Sequence, residues 1–413
     1  INSHYTAQSA TPQALAVAAA YSPSLLASVP ISSAPHPQSG AILIDASALL
    51  QGDLLGLAAQ LQRAYRQSYA LDPRNTALLE TRTQSDNTVF EVSQHFATGT
   101  IAAPSGVPGP SSSVPTSLPD PRSLFIKVHY TLSALPSQPM PRRPADPRVG
   151  YFTSSVMDFS NDLARTPVQH YINRWRLEKK DPQAPLSDPV QPLVFWLDPS
   201  IPEVYRAAIT EGALEWNKAF AAIGFSRAIE VRTPPADKPF DTLATGHASI
   251  RWMTNSQPGF GAIGPSHVDP RTGEILDADI ALESLSSRAI RTMRSQTLMG
   301  HLTDVHEDGD APCEHGQYAA QQLEFALATS SHLSPMDPDD PAVRDFVLAY
   351  IKDTTMHEVG HALGLRHNFR ASTWRSPGEL LNPVLTREQG NSASVMDYNA
   401  INLPPCWAPM TTG

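Results

Sequence analysis

Proline restricts this fold more than any other residue. It fills 39 of 413 positions, about twice the ordinary share of roughly 5%. Each ring fixes φ and removes a backbone donor, so a proline ends a helix and is kept out of central strands. Elements must therefore be short and connections many. The prolines also crowd into two stretches, 104–121 and 135–147, which read as loops or linkers.

Between these breaks the apolar pattern outlines two regions. Residues 1–40 carry no acidic, Lys or Arg side chain and are rich in Ser, Ala, Pro and Gln. They are expected to be an extended low-charge arm or a disordered tail. Residues 41–44 form a short apolar run with strand character. Residues 47–67 have helical spacing at Leu50, Leu54, Leu57, Leu61 and Tyr65. Residues 88–92 and 124–130 read as strands, the second clearly alternating. Residues 41–190 are thus expected to form an N-terminal α+β domain with Pro-rich loops. From Pro192 the texture changes. Residues 193–197 read as a buried strand. Residues 201–223 read as a helix with Pro202 at its start, Gly224 past its end and an apolar face of Val204, Ala208, Leu214 and Phe220. Two more strands, 248–253 and 274–282, precede a long helix over 345–363. Residues 191–413 make the second domain, so the whole chain is expected to be α+β.

A net charge of −10 with a pI near 5.8 argues against nucleic acid as the main partner. No apolar run reaches the 18 or so residues that a membrane helix needs. The chain starts at Ile1 with no visible signal peptide, so it reads as processed, trimmed or partial. Sparse Lys with abundant Ser, Pro and Ala is compatible with an exported bacterial protein, hence a secreted, periplasmic or cell-surface location. Two cysteines, Cys313 and Cys406, leave a disulfide and two buried thiols equally open. The oligomeric state is left open too.

The chemistry concentrates in His357-Glu358-Val359-Gly360-His361-Ala362-Leu363-Gly364-Leu365-Arg366-His367. Residues four apart share a helix face, so His357 and His361 present their imidazoles to one point. Glu358 is offset by roughly 100° and stays beside that point. Gly364 permits a positive-φ turn that ends the helix, and His367 then returns as a third nitrogen ligand. Three histidines leave the fourth position of a tetrahedral Zn²⁺ open, which is the catalytic arrangement. Zinc lowers the pKa of water to about 7 and polarises a carbonyl, and Glu358 is the general base. The expected partner is a peptide or protein substrate. A zinc amidase acting on cell-wall peptides and an inactive protease-like binding module are the rival readings.

The helix motif together with Ser394-Val395-Met396-Asp397-Tyr398 resembles the metzincin zinc endopeptidases. That resemblance implies a mixed twisted sheet, an active-site helix and a Met-turn. Met396 would form an apolar floor under the imidazoles. Tyr398 would act as a fifth ligand or as a phenol donor to the oxyanion. A closer resemblance is carried by residues 140–152, 216–220, 270–276 and 367–369. It is to large bacterial zinc-dependent metallopeptidases called Met-zincins, which carry a preceding domain of unassigned function. That group continues well beyond the point where this chain ends, so this member is expected to be short or cut. The resemblance further casts residues 274–282 as an edge strand that binds substrate through Ile275, Asp277 and Asp279. The loop 259–265 could line the cleft or be a plain Gly-rich connection. Residues 301–315, rich in His, Asp and Glu, could hold a second metal, with Ca²⁺ possible but unsupported, or form a solvated loop. Asp353 reads as a solvent-facing carboxylate rather than a group orienting an imidazole. Trp374 and Arg375 are further candidates for shaping specificity.

Overall fold

The computed structural model describes residues 4–84, 87–103, 111–237, 240–255, 261–284, 341–399 and 402. Contacts divide the chain into two units, 1–137 with 158–163 and 138–157 with 164–413. Residues 138–157 and 164–190, assigned by sequence to the N-terminal domain, therefore lie with the second unit.

The first unit holds β1 (Tyr5–Thr6), α1 (Pro12–Ala20), α2 (Ser47–Leu50), α3 (Leu57–Tyr65), β2 (Ala70–Leu71), β3 (Ala77–Thr83), β4 (Asn87–Ala97) and β5 (Ser123–Ser133). Strand β4 pairs antiparallel with β5 along its whole length, while β3 and β2 share its other edge. Leu61 of α3 packs with Tyr69, Phe96 and Leu124 to form the local core. The Pro-rich connection is tied down by side chains. Buried Gln67 donates through Nε2 to the carbonyls of Ala102 and Ser113, and the Tyr69 hydroxyl donates to that of Pro121.

Three local expectations change in this unit. The arm contains a helix, because Thr11 caps it by accepting from the Ala14 N–H and Pro12 fits the first turn. Residues 41–44 contribute only a single bridge, Ile31 to Ile44. The helix read over 47–67 is two helices. Gly56 sits at φ 65 ahead of the second, and the Asp53 carboxylate accepts from Leu57 N–H and Ala58 N–H. A local cap thus overrides the continuous apolar spacing.

The second unit starts with the antiparallel pair β6 (Thr153–Asp158) and β7 (Val168–Ile172). It continues through β8 (Leu193–Leu197), α4 (Glu203–Ala222), β9 (Ile229–Arg232), β10 (Ser249–Met253), β11 (Ala262–Ile263), β12 (Ser266–Asp269) and β13 (Glu274–Glu283), then the long helix α5 (Pro341–Ala362). The sheet order is β11-β13-β10-β8-β9, with β12 also on β13. Strands β8, β9, β10 and β13 run parallel, and β11 and β12 run antiparallel to β13. Phe195, Ile209, Ile250, Ile280 and Val359 are fully buried in one core with α4 and α5. Helices α4 and α5 meet at Gly212, where a Cβ would lie 2.6 Å from the Lys352 carbonyl oxygen. The buried face of α4 is Tyr205, Ala208, Ile209, Gly212 and Ala213, whereas Val204 and Leu214, expected inside, are exposed. The seat against α5 selects small residues, and that rotates the buried face away from the most apolar positions. Among the described residues, no helix is long and apolar enough to cross a membrane.

Candidate metal centre

Helix α5 delivers His357, Glu358 and His361 into the interior, with exposures of 0%, 0% and 5%. The helix ends in a Schellman turn. Leu365 N–H donates to the Gly360 carbonyl and Gly364 N–H to that of His361, with Gly364 at φ +99. His367 returns toward the helix. His361 Nε2 lies 3.1 Å from His357 Nε2 and 3.2 Å from His367 Nε2. Among the described residues, these three form the one group of His, Cys, Asp or Glu side chains that could hold a metal ion.

Their orientation suits a cation. His357 Nδ1 lies 2.7 Å from the Val395 carbonyl oxygen and His361 Nδ1 lies 2.8 Å from that of Leu365. A carbonyl can only accept, so each Nδ1 carries the proton and each Nε2 presents a lone pair. The lone pairs of His357 and His361, meeting at 3.1 Å, repel one another unless a positive charge sits between them. Nitrogens bound to zinc at 2.0–2.1 Å in a tetrahedron are about 3.3 Å apart, so the donor set fits that ion.

Three neighbours complete the site. The Tyr398 hydroxyl lies 3.0 Å from His367 Nε2. Met396 is 2% exposed, and its sulfur packs with the Trp216 ring against Gly360. Gly264, just past β11, approaches Glu358 so closely that a Cβ there would lie 2.9 Å from the Glu358 carbonyl oxygen and 3.5 Å from Oε2. The segment 261–265, the described part of the connection read as a possible cleft lining, thus borders the site through Gly264. Residues missed by sequence reasoning include Asp397, which is buried and accepts from the N–H groups of Ser372 and Tyr398. Its position between Met396 and Tyr398 was the only available signal. Phe369 was also missed as a site residue. It is 58% exposed and stacks 5.1 Å from the His367 ring.

Strand β13 is not an edge. It is flanked by β10 on one side and by β11 and β12 on the other. Ile275 and Asp277 are buried at 2% and 1% exposure, and Asp279 accepts from the Ser249 hydroxyl. The residues expected to meet substrate are covered, with the Gly246 N–H bonded to Asp277. Burial, with the Asp279 charge adding to it, pushes the Asp277 carboxyl up to about 8. Below pH ~4 both folded and unfolded chains hold this proton. As pH rises the unfolded chain ionises first, so stability falls by at most about 1.4 kcal/mol per pH unit until pH nears 8. Asp277→Asn should therefore gain more stability over wild type at pH 8 than at pH 5, by about 2 kcal/mol or more. Denaturant unfolding at the two pH values would measure this, and an equal gain at both would refute it.

Asp353 is exposed, and the group that orients His357 is the Val395 carbonyl. Arg375 is buried. It lies 3.9 Å from the Trp374 ring and bonds to Gly390 and Gln389, bracing the chain beyond the third histidine. Residues 301–315, with Cys313, lie outside the described residues, as do residues 259–260 and Cys406.

Residues 1–180 match the model of a domain of unknown function, DUF5117, and residues 339–406 match that of Met-zincin. The chain carries a Met-zincin domain. The match spans all of α5, all three histidines, Met396 and Tyr398. The Met-zincin match and the histidine triad together support a zinc metallopeptidase domain. The domain of unknown function and the first structural unit differ in extent, residues 1–180 against 1–137 with 158–163. No curated protein and no solved structure matches the chain.

Proposed function

We propose that the chain is a zinc endopeptidase in which His357, His361 and His367 hold the ion and Glu358 is the general base. The observation that carries this reading is the convergence of three Nε2 atoms, two of them fixed as lone-pair donors by Nδ1–H bonds to carbonyls, beside a buried carboxylate. The bound ion would supply Lewis acidity and lower the pKa of a coordinated water to about 7. Glu358 would take a proton from the attacking water and return it to the leaving amine. The Tyr398 phenol would donate a hydrogen bond to the developing oxyanion. Met396, beneath the imidazoles as a Met-turn residue, would keep that floor apolar.

The substrate platform moves from β13 to β11. Strand β11 lies at the end of the sheet path, and Gly264 at its end meets Glu358. An extended peptide would add antiparallel to this edge, with Phe369 offering an apolar contact beside His367. Export from the cell remains part of the proposal and suits cleavage of extracellular or periplasmic protein.

The test is zinc analysis of the purified chain alongside digestion of unfolded casein and of peptidoglycan peptides. One zinc per chain, with chelator-sensitive cleavage of casein, is expected. Cleavage confined to cell-wall peptides would favour an amidase. Zinc without any hydrolysis would favour a binding module.

A further inference from the structure

We propose that residues 150–152 and 173–175, which lie outside the Met-zincin match, act as a clasp that positions the second and third histidines. Phe152 and Trp175 are its key positioning residues. The inference rests on the metallopeptidase reading and assigns a task to the C-terminal end of the domain of unknown function.

His367 follows a helix end and has no regular secondary structure around it. Its two neighbours are nevertheless anchored. Asn368 N–H donates to the Met396 carbonyl at 2.8 Å, and Arg366 N–H donates to the Gly150 carbonyl at 3.0 Å. The second anchor belongs to a short antiparallel bridge between Tyr151 and Leu365. Phe152 N–H extends that bridge by donating to the Gly364 carbonyl at 2.8 Å. A helix end leaves its last carbonyls orphaned, and Trp175 satisfies one of them, its indole N–H donating to the Ala362 carbonyl at 2.8 Å.

The clasp is itself fixed. Asn173 N–H donates to the Phe152 carbonyl, and Arg174 bonds through its N–H to Gly273 and through its carbonyl to Ile275 N–H. The chain passes so near Gly364 that a Cβ there would overlap the Asn173 carbonyl. Glycine is therefore needed at 364 for this contact as well as for its φ of +99. The Phe152 ring also packs 5.7 Å from that of His361. A ligand turn held from both sides loses little freedom when it binds an ion, so loosening one side should weaken metal binding.

The test uses the full-length chain and competition for zinc with a fluorescent chelator. Phe152→Ala should weaken zinc binding about 10- to 100-fold, the range for loss of groups that orient ligands. Phe152→Tyr, which keeps the ring, should bind as wild type. Trp175→Phe, which removes only the indole donor, should fall between them. Val156→Ala removes a buried side chain from the adjoining strand, so it should lower the melting temperature while leaving zinc affinity unchanged. Wild-type affinity in both Phe152→Ala and Trp175→Phe would overturn the clasp alone. A wild-type chain that binds no zinc would overturn the metallopeptidase reading and the clasp with it.

Discussion

Glu358→Gln is expected to keep its zinc and to lose peptide cleavage by about 10³-fold, within the range that general base catalysis contributes. Glutamine has the shape of glutamate, which matters because residue 358 is fully buried and abuts Gly264. It cannot take up a proton at neutral pH. Metal should stay, because the converging group is the three histidines and does not include Glu358. The pair of measurements is zinc content by atomic absorption and kcat on a quenched peptide. A variant that retains zinc and cleaves within tenfold of wild type would remove Glu358 from its role.

Gly360→Ala should disrupt the centre although it leaves every proposed ligand in place. In an exposed helix this change would be favourable by about 1 kcal/mol. Here the new methyl would overlap Met396 Sδ and lie 2.9 Å from Trp216 Cζ2. Neither neighbour can retreat easily. Trp216 donates its indole N–H to the Met356 carbonyl, and Met396 is buried. Overpacking of this kind costs about 1–3 kcal/mol. The larger effect is on the site. The Val395 carbonyl accepts from His357 Nδ1–H and the Met396 carbonyl accepts from Asn368 N–H. Displacing 395–396 therefore disturbs the first and third histidines together, and zinc affinity should fall by about tenfold or more. The double variant Gly360→Ala with Met396→Ala should recover part of that loss. An unchanged affinity in the single variant would show that the floor has slack.

The metal-binding part was legible in the sequence because its geometry is local. Two histidines four residues apart, a glycine three further on and a third histidine after it fix their own relation through helix periodicity and one turn. What lay beyond a few residues was harder to read. Residues 274–282 were expected to be a substrate-binding edge, yet the pairing of that strand on both sides and its cover by the chain near Gly246 are long-range facts. The partners of Gly364 sit near residues 152 and 173, on chain that sequence pattern groups with the N-terminal region. Gly56 and Asp53, by contrast, were visible locally and outweighed the apolar spacing of 47–67. Residues 216–220 resembled the family as a block, and the structure gives a physical reason for two of them, Trp216 against Gly360 and Asn217, whose side-chain amide bonds both backbone groups of Ile229.

The bridge between Tyr151 and Leu365 carries a consequence for biosynthesis. A ribosome delivers Tyr151 long before Leu365, so this stretch must wait, unpaired, for most of the catalytic half to emerge. Contacts so distant in sequence slow folding and lengthen the life of sticky intermediates. Chelating capacity should therefore arise last, after translation has passed the third histidine, and a nascent chain stalled earlier would have no competent hydrolytic centre.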